Sequence, residues 1–420
     1  MKILVYPHDM AMGGSQLNAL ELAAAVRTQG HDVTIVGRTG VLKSRIDEMN
    51  LEFIELPPPG RRPSRRVVLA LKSLVRERGI DIVHGYEWPP ALEALLTCTG
   101  TPATPITTVL SMAVAPFIPR NLPLEVGTQQ IAELERNAGR KFVRLMEPPV
   151  DIEGDRSTDN IPLSQIAQKW GIKGDALTLV IVSRLAKEMK LEGILAAIRL
   201  IRNWESRQKL QLVIVGSGPA WSDVREAASE ANSFAGEEKV ILTGEVIDPR
   251  WAYAMADIVL GMGGSALRGM AMGKPLIVQG EKGYWKTLDH ESIQEFLWQG
   301  WYGVGHEGDV GEMILKKELL PLVRSPELRE RLGQYSRTVV QNRFSLEGAA
   351  TRQIHYYQEA RIAWEDRKKI GLETLRSGSS FLGYKFRRFG ERICGTMTSD
   401  DFNAMPVAAQ WPQLRDSGPR

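Results

Sequence analysis

Cysteine is nearly missing from this chain. Cys98 and Cys394 are the two in 420 residues, far apart and without metal-ligand spacing. That excludes a disulfide framework and a thiolate zinc site. An excess of charge is missing too: 53 Lys and Arg stand against 50 Asp and Glu, and a net +3 is too small to argue for a nucleic-acid partner. Long apolar runs are also lacking, and none approaches the roughly 20 residues of a membrane span. The start, Met1 to Tyr6, reads as a first buried strand rather than a signal peptide. These absences leave a cytoplasmic protein as the expectation.

What is present is an ordinary globular composition, 43% hydrophobic and 25% charged, in a chain long enough for two cores and an appendage. Short apolar runs alternate with longer amphipathic stretches. Ile3 to Tyr6, Val33 to Val36, Phe53-Ile54, Ile82-Val83 and Ile106 to Leu110 read as strands, and Leu17, Leu20 and Ala24 share one face of a helix within Gln16 to Gln29. A second series follows: Leu177 to Val182, Leu212 to Val215, Val240 to Leu242, Ile258 to Leu260 and Leu276 to Val278. Strands alternating with helices imply parallel sheets covered on both faces. The fold class is therefore α/β, with two Rossmann-like domains facing a central cleft. Residues 1–160 form the N-terminal domain and 161–345 the C-terminal one, joined near Pro148-Pro149-Val150-Asp151. Residues 346–420 carry a helix from Leu346 to Arg361, a loop at Arg376 to Ser380, a basic-aromatic patch from Tyr384 to Ile393, and a mobile tail from Thr396.

Five turns that follow strands stand out, four of them glycine-bearing. Gly13-Gly14-Ser15 opens the first helix, where free N–H groups and a positive dipole end suit an anion. Ser183-Arg184-Leu185 places an arginine at a strand end, with Lys187 and Lys190 behind it, and a guanidinium fork suits a diphosphate. Gly216-Ser217-Gly218 and Gly244-Glu245-Val246 offer backbone groups to a nucleotide base. Gly263-Gly264-Ser265 begins a short helix with Ser265 as its N-cap. Each turn taken alone is also explained by turn chemistry.

In order and spacing these motifs resemble the retaining GT-B glycosyltransferases of the family 4 or group 1 kind, over Met1 to about Arg361. The resemblance rests on Gly13-Gly14, Asp81-Ile82-Val83-His84, Pro149-Val150-Asp151, Ser183-Arg184-Leu185, the Val215 to Pro219 turn and the run from Ala256 to Pro275. Phe344-Ser345 and its helix look like the family's C-terminal element that crosses back onto the first domain. The resemblance implies transfer of a sugar from a nucleotide-diphosphate sugar, UDP-sugar favoured, with retention and without a metal or other cofactor. It makes Arg184 and Lys190 the diphosphate-holding catalytic cations. Gly13, Gly14, Gly216, Gly218, Glu245, Val246, Gly263, Gly264, Ser265, Arg268 and Glu281 fall on the donor side. The acceptor, a small molecule or glycan, is expected at His84, Glu87 and Trp88. The basic loop Pro57 to Arg66 allows peripheral contact with an anionic membrane.

One departure stands out. The family's E-x7-E pair would fall at Leu260 and Arg268, and an arginine accepts no hydrogen bond from a ribose. Glu281, in the loop past Leu276 to Val278, is the candidate substitute. A non-catalytic nucleotide-binding relative or a GT-B sugar-nucleotide epimerase are the alternative functions.

Overall fold

The computed structural model describes residues 1–7, 9–11, 13–156, 161–365, 372–394 and 402. Most of the tail expected to be mobile, from Thr396, lies outside the described residues. The described residues divide into two compact units: Met1–Pro149 with those from Leu346 onward, and Val150–Ser345. The division falls at Pro149 rather than at 160. Val150 belongs to the second unit because its amide donates to the Phe344 carbonyl (2.9 Å) and it pairs in parallel with Ser345.

The first unit holds seven parallel strands: β1 (Lys2–Tyr6), β2 (Asp32–Gly37), β3 (Glu52–Glu55), β4 (Ile82–Tyr86), β5 (Thr104–Val109), β6 (Leu124–Val126) and β7 (Val143–Leu145). Their order is β3-β2-β1-β4-β5-β6-β7, so the chain reverses direction across the sheet between β1 and β4. Side chains alternate along β1. Ile3 and Val5 pack with Leu20 and Ala23 of the helix Gly14–Thr28 and with Ala349, Tyr356 and Ala360 of the helix Leu346–Glu365. Leu4 and Tyr6 face Val67, Leu71 and Val75 of the helix Arg65–Arg78. This is the period-2 burial of a strand covered on both faces.

The second unit holds six strands: β8 (Leu177–Val182), β9 (Leu210–Val215), β10 (Val240–Gly244), β11 (Ile258–Gly261), β12 (Leu276–Gln279) and β13 (Trp285–Thr287). The order is β10-β9-β8-β11-β12-β13, parallel except for β13. Leu179, Ile181, Leu212 and Ile214 bury one face against Ile194, Ile198 and Ile201 of the helix Leu191–Arg202. Val180, Val213 and Val215 bury the other against Leu267, Met270, Trp301 and Phe344.

Three strands escape the apolar pattern. β6, β7 and β13 are three residues each, and β6 carries the fully buried Glu125 between its apolar residues. The loop expected at Arg376 to Ser380 is instead part of a helix, Leu372–Cys394.

Glu125 ends a buried relay through the first unit. The Tyr357 hydroxyl donates to His84 Nδ1 (2.8 Å), His84 Nε2 meets Thr108 Oγ1 (2.7 Å), and Thr108 Oγ1 donates to Glu125 Oε2 (2.8 Å). Burial pushes the His84 imidazole down to about 3, and it is neutral. Burial also pushes Glu125 up to about 7, against the Thr108 hydrogen bond, which favours the ionised form. Tyr86, Tyr356 and Tyr357 surround it, each held neutral by burial first. A carboxyl raised above its unfolded value of 4.5 contributes stability below that value, and loses it as pH rises through about 7. His84 acts oppositely, losing stability as pH falls below 6.5. Glu125→Gln should therefore gain on the wild type between pH 5 and 8, on the order of 3 kcal/mol in urea denaturation. A stability difference that stays flat over that range contradicts a protonated Glu125.

Candidate functional site

Parallel strands put the loops after β8, β9, β10, β11 and β12 on one edge of the second sheet. The reversal of strand order lies between β8 and β11, the position where open α/β sheets take their ligands. Ser183, Arg184 and Lys190 follow β8 there, and Met262 to Ser265 follow β11.

The β8 loop is zipped onto the β9 loop by backbone. Ser183 N donates to Val215 O, Leu185 N to Ser217 O and Ala220 N to Leu185 O, each at 2.9 Å. Gly216 sits at φ +136°, and a Cβ there would lie 1.9 Å from the Ser183 carbonyl oxygen. Only glycine admits this approach. Gly218 makes the same close pass at the Leu185 carbonyl, 2.5 Å from where its Cβ would be.

The zipper fixes the cations. Arg184 is exposed, and Lys190 Nζ donates to Ser183 Oγ (3.1 Å). Burial, with the Arg184 charge adding to it, lowers Lys190 to about 8. Among the described residues neither cation has a carboxylate partner, whereas Lys173 pairs with Glu237 (2.6 Å) and Lys209 with Asp175 (2.6 Å) elsewhere in the same unit. Two adjacent positive charges without a carboxylate partner, one of them desolvated, leave a charge imbalance that an anion would offset.

The neighbouring loop is braced on the same helix. Gln279 Nε2 donates to the Lys190 carbonyl (2.8 Å), and Glu192 accepts from Lys282 N (3.0 Å) and Gly283 N (2.7 Å). The Tyr302 hydroxyl donates to Glu281, and burial, with that carboxylate adding to it, raises the phenol. Sequence reasoning placed Glu192 outside the donor site, as a carboxylate on the neighbouring helix, and passed over Tyr302. Glu192 looks like an ordinary first-turn acid, and its partners lie 90 residues away. Strain marks these same loops. Of the non-glycine residues at positive φ, Met189 (63°) precedes Lys190, Lys282 (50°) follows Glu281, and Trp301 (61°) accepts at its carbonyl from Gly263 N.

Of the remaining donor-side expectations, those in the second unit fall on this edge with one correction, whereas Gly13 and Gly14 lie in the first unit. Gly263 (φ 56°), not Ser265, caps the helix Gly264–Ala271. The Ser265 hydroxyl turns back to Met262, accepting from its N–H (3.3 Å) and donating to its carbonyl (2.9 Å). Gly264 is exposed and open on its Cβ side. Glu245 is exposed and Val246 half-buried after β10, and Arg268 lies half-buried in the helix begun by Gly264.

In the first unit the expected acceptor cluster separates. His84 is fully buried in the relay described above, because β4 directs it toward Tyr357 rather than to solvent. Trp88 packs edge-on to Phe117 (5.3 Å) and beside Phe381 and Tyr384 (5.9 Å each), an internal aromatic contact. Glu87 alone stands at the β1–β4 reversal, at φ 63°, accepting from Ser15 Oγ (3.2 Å), Leu110 N (3.0 Å) and Ser111 Oγ (2.9 Å). Gly13 caps the helix that carries Ser15, and the exposed Gly14 is its first residue. The basic loop is also less free than expected. Arg62 is drawn onto the fully buried Glu93, which also accepts from the Tyr6 hydroxyl (2.8 Å) and Ser64 N (2.7 Å).

Two Rossmann-like α/β units in one chain, each with its loops gathered at a strand-order reversal, define the GT-B class of fold. Comparison with known proteins agrees. The family described as "Glycosyl transferases group 1" matches residues 176–297, and "Glycosyltransferase Family 4" matches residues 12–111. The chain belongs to the GT-B glycosyltransferase family. It is 27% identical over 176 residues to the alpha-monoglucosyldiacylglycerol synthase of Streptococcus pneumoniae, a match spanning 40% of this chain and 36% of that protein. Its fold is similar to that of a Rickettsia africae glycosyltransferase (17% identity, TM-score 0.65, 86% of this chain and 98% of that one). Anabaena HepE in complex with UDP is similar at 13% identity and TM-score 0.67, over 86% and 100% of the two chains. Sucrose-phosphate synthase from Thermosynechococcus elongatus is similar at 16% identity and TM-score 0.66, over the same shares.

The zipper gives a direct test. Gly216→Ala should cost on the order of 2–5 kcal/mol in urea denaturation, since a backbone oxygen must move. Gly264→Ala, where a Cβ meets nothing within 4 Å, should change stability by less than about 1 kcal/mol. Equal costs at the two positions contradict the close approach.

Proposed function

We propose that this protein transfers a glycosyl group from a nucleoside-diphosphate sugar, UDP-sugar favoured, to a small-molecule or glycan acceptor, with retention. The observation that carries this reading is the pair Arg184 and Lys190, cationic, adjacent and without carboxylate partners, at the reversal point of the second sheet. Support comes from the two family matches and from HepE, a similar fold whose structures hold UDP, UDP with glucose, and UDP-glucose.

On this reading the diphosphate lies on Arg184 and Lys190, and the amides opening the helix Gly264–Ala271 face the same anion. As the glycosidic bond to the diphosphate breaks, negative charge grows on the leaving oxygen. Fixed cations stabilise it without reorganising, which is the strongest form of electrostatic catalysis. The two side chains take the place a divalent ion fills in other transferases, so chelation should leave the rate unchanged. Glu281 is proposed to accept from the ribose in place of the carboxylate replaced by Arg268. Glu192 holds the Glu281 loop, so Glu192→Gln should weaken donor binding as well. Glu87 is proposed as the acceptor-side carboxylate.

The absence of acids at Leu260 and Arg268 favours a second reading, a nucleotide-binding relative that transfers nothing. Mass analysis of products from candidate donors and acceptors separates the two, and donor turnover without any acceptor would mark an epimerase.

Calorimetry with a panel of nucleoside diphosphates tests the carrying observation. Arg184→Ala should weaken binding by roughly 2–5 kcal/mol. Wild-type affinity should fall as pH rises through about 8, where the free protein's Lys190 loses its proton, and Lys190→Met should remove that dependence. Unaltered affinity in a folded Arg184→Ala protein, together with no pH effect at Lys190, sinks the proposal.

A further inference from the structure

The helix Leu372–Cys394 holds to the first unit by one side. Phe381 and Tyr384 are half-buried against Trp88 and Phe117, and Arg388 and Glu391, one and two turns on, are half-buried on the same face. The opposite side carries a continuous apolar stripe in open solvent. Leu382 is 59% exposed, Phe386 75%, Phe389 65% and Ile393 71%. Their spacing of four, three and four residues keeps them within one narrow band of the helix surface.

Charge borders that band. Arg392 and Lys385, whose ammonium rests over the Trp88 and Phe381 rings (5.7 and 5.1 Å), flank it on one side, and Arg387 and Arg376 lie beyond Gly383 and Gly390 on the other. Over its 23 residues the helix carries five Lys and Arg against two Asp and Glu. Glu391 lies within 3.4 Å of Arg387 and 3.3 Å of Arg388, on the face away from the stripe. Among the described residues no helix is long and apolar enough to cross a membrane. An apolar stripe bordered by cations on a helix roughly 34 Å long is the form that lies in the plane of a bilayer interface.

We propose that this face docks the protein on an anionic lipid bilayer, with Leu382, Phe386, Phe389 and Ile393 entering the headgroup boundary and Lys385, Arg387 and Arg392 meeting lipid phosphates. The alternative occupant, a second copy of the chain, is disfavoured by charge. A two-fold pairing of this stripe would set its basic borders against their own copies, a repulsive arrangement, while an anionic surface complements every one of them. The Arg62 loop is a poorer candidate, since Arg62 is committed to Glu93. This inference does not depend on the catalytic reading, because it uses no residue of the donor loops.

Co-sedimentation of the full chain with phosphatidylcholine vesicles, with and without about 30% phosphatidylglycerol, tests it. Binding is expected to the anionic vesicles and to weaken steeply as salt rises. Phe386→Ser with Phe389→Ser should lower the partition coefficient at least about tenfold. Lys385→Gln with Arg392→Gln should lower it for anionic vesicles only. Far-ultraviolet circular dichroism should match the wild type for both variants, since these side chains are exposed. No binding to anionic vesicles overturns the proposal, as does binding that neither variant changes. Concentration-dependent dimers in sedimentation equilibrium that Phe386→Ser with Phe389→Ser abolishes would assign the face to self-association instead.

Discussion

The close pass of the β8 loop over Gly216 governs the chemistry of the second unit. Because the Ser183 carbonyl occupies the space where any Cβ would stand, the loop has one path, and Arg184 and the Ser183 hydroxyl have one position. That hydroxyl in turn receives Lys190, whose peptide carbonyl anchors Gln279 at the end of β12. The left-handed Met189 between them is held by this bracing on both sides. Backbone hydrogen bonds thus fix two like charges beside each other, a placement that costs free energy until an anion arrives. Burial lowers the basicity of Lys190, and the neighbouring Arg184 charge adds to it.

The first unit meets a different constraint. Its sheet buries a carboxyl and an imidazole in one hydrogen-bonded relay, and burial disfavours the charged form of each. The helix Leu346–Glu365 supplies the terminal phenol, Tyr357, which ties a segment distant in sequence to β4, β5 and β6. The next helix reaches the same unit through its aromatic face on Trp88 and Phe117 and leaves its other face to solvent. The first unit therefore ends on a surface whose apolar residues have no internal use.

Much of this was legible in the order of residues. Ten strands announce themselves as apolar runs because both faces of a parallel sheet are buried. The cations after β8 follow from their place at a strand end. What was hidden has physical reasons. β6 is disguised by Glu125, whose burial no local pattern signals, and β7 and β13 are too short to show a period. His84 and Trp88 looked like an acceptor platform because sequence cannot tell which way β4 turns a side chain or what a distant helix will cover. Arg376 to Ser380 reads as a loop by composition, yet it lies within the helix Leu372–Cys394, directly before the packed Phe381. Glu192 and Tyr302 act across the fold on the Glu281 loop, so no spacing along the chain could disclose them.

The central claim is that the unpartnered cations after β8 are the seat of a nucleoside diphosphate. A crystal structure of the protein soaked with UDP addresses it most directly. The account predicts diphosphate oxygens within hydrogen-bond reach of the Arg184 guanidinium and Lys190 Nζ, with the uridine toward Glu245 and Val246. A UDP molecule bound with its phosphates away from both cations, or a site left empty at saturating UDP, would contradict it.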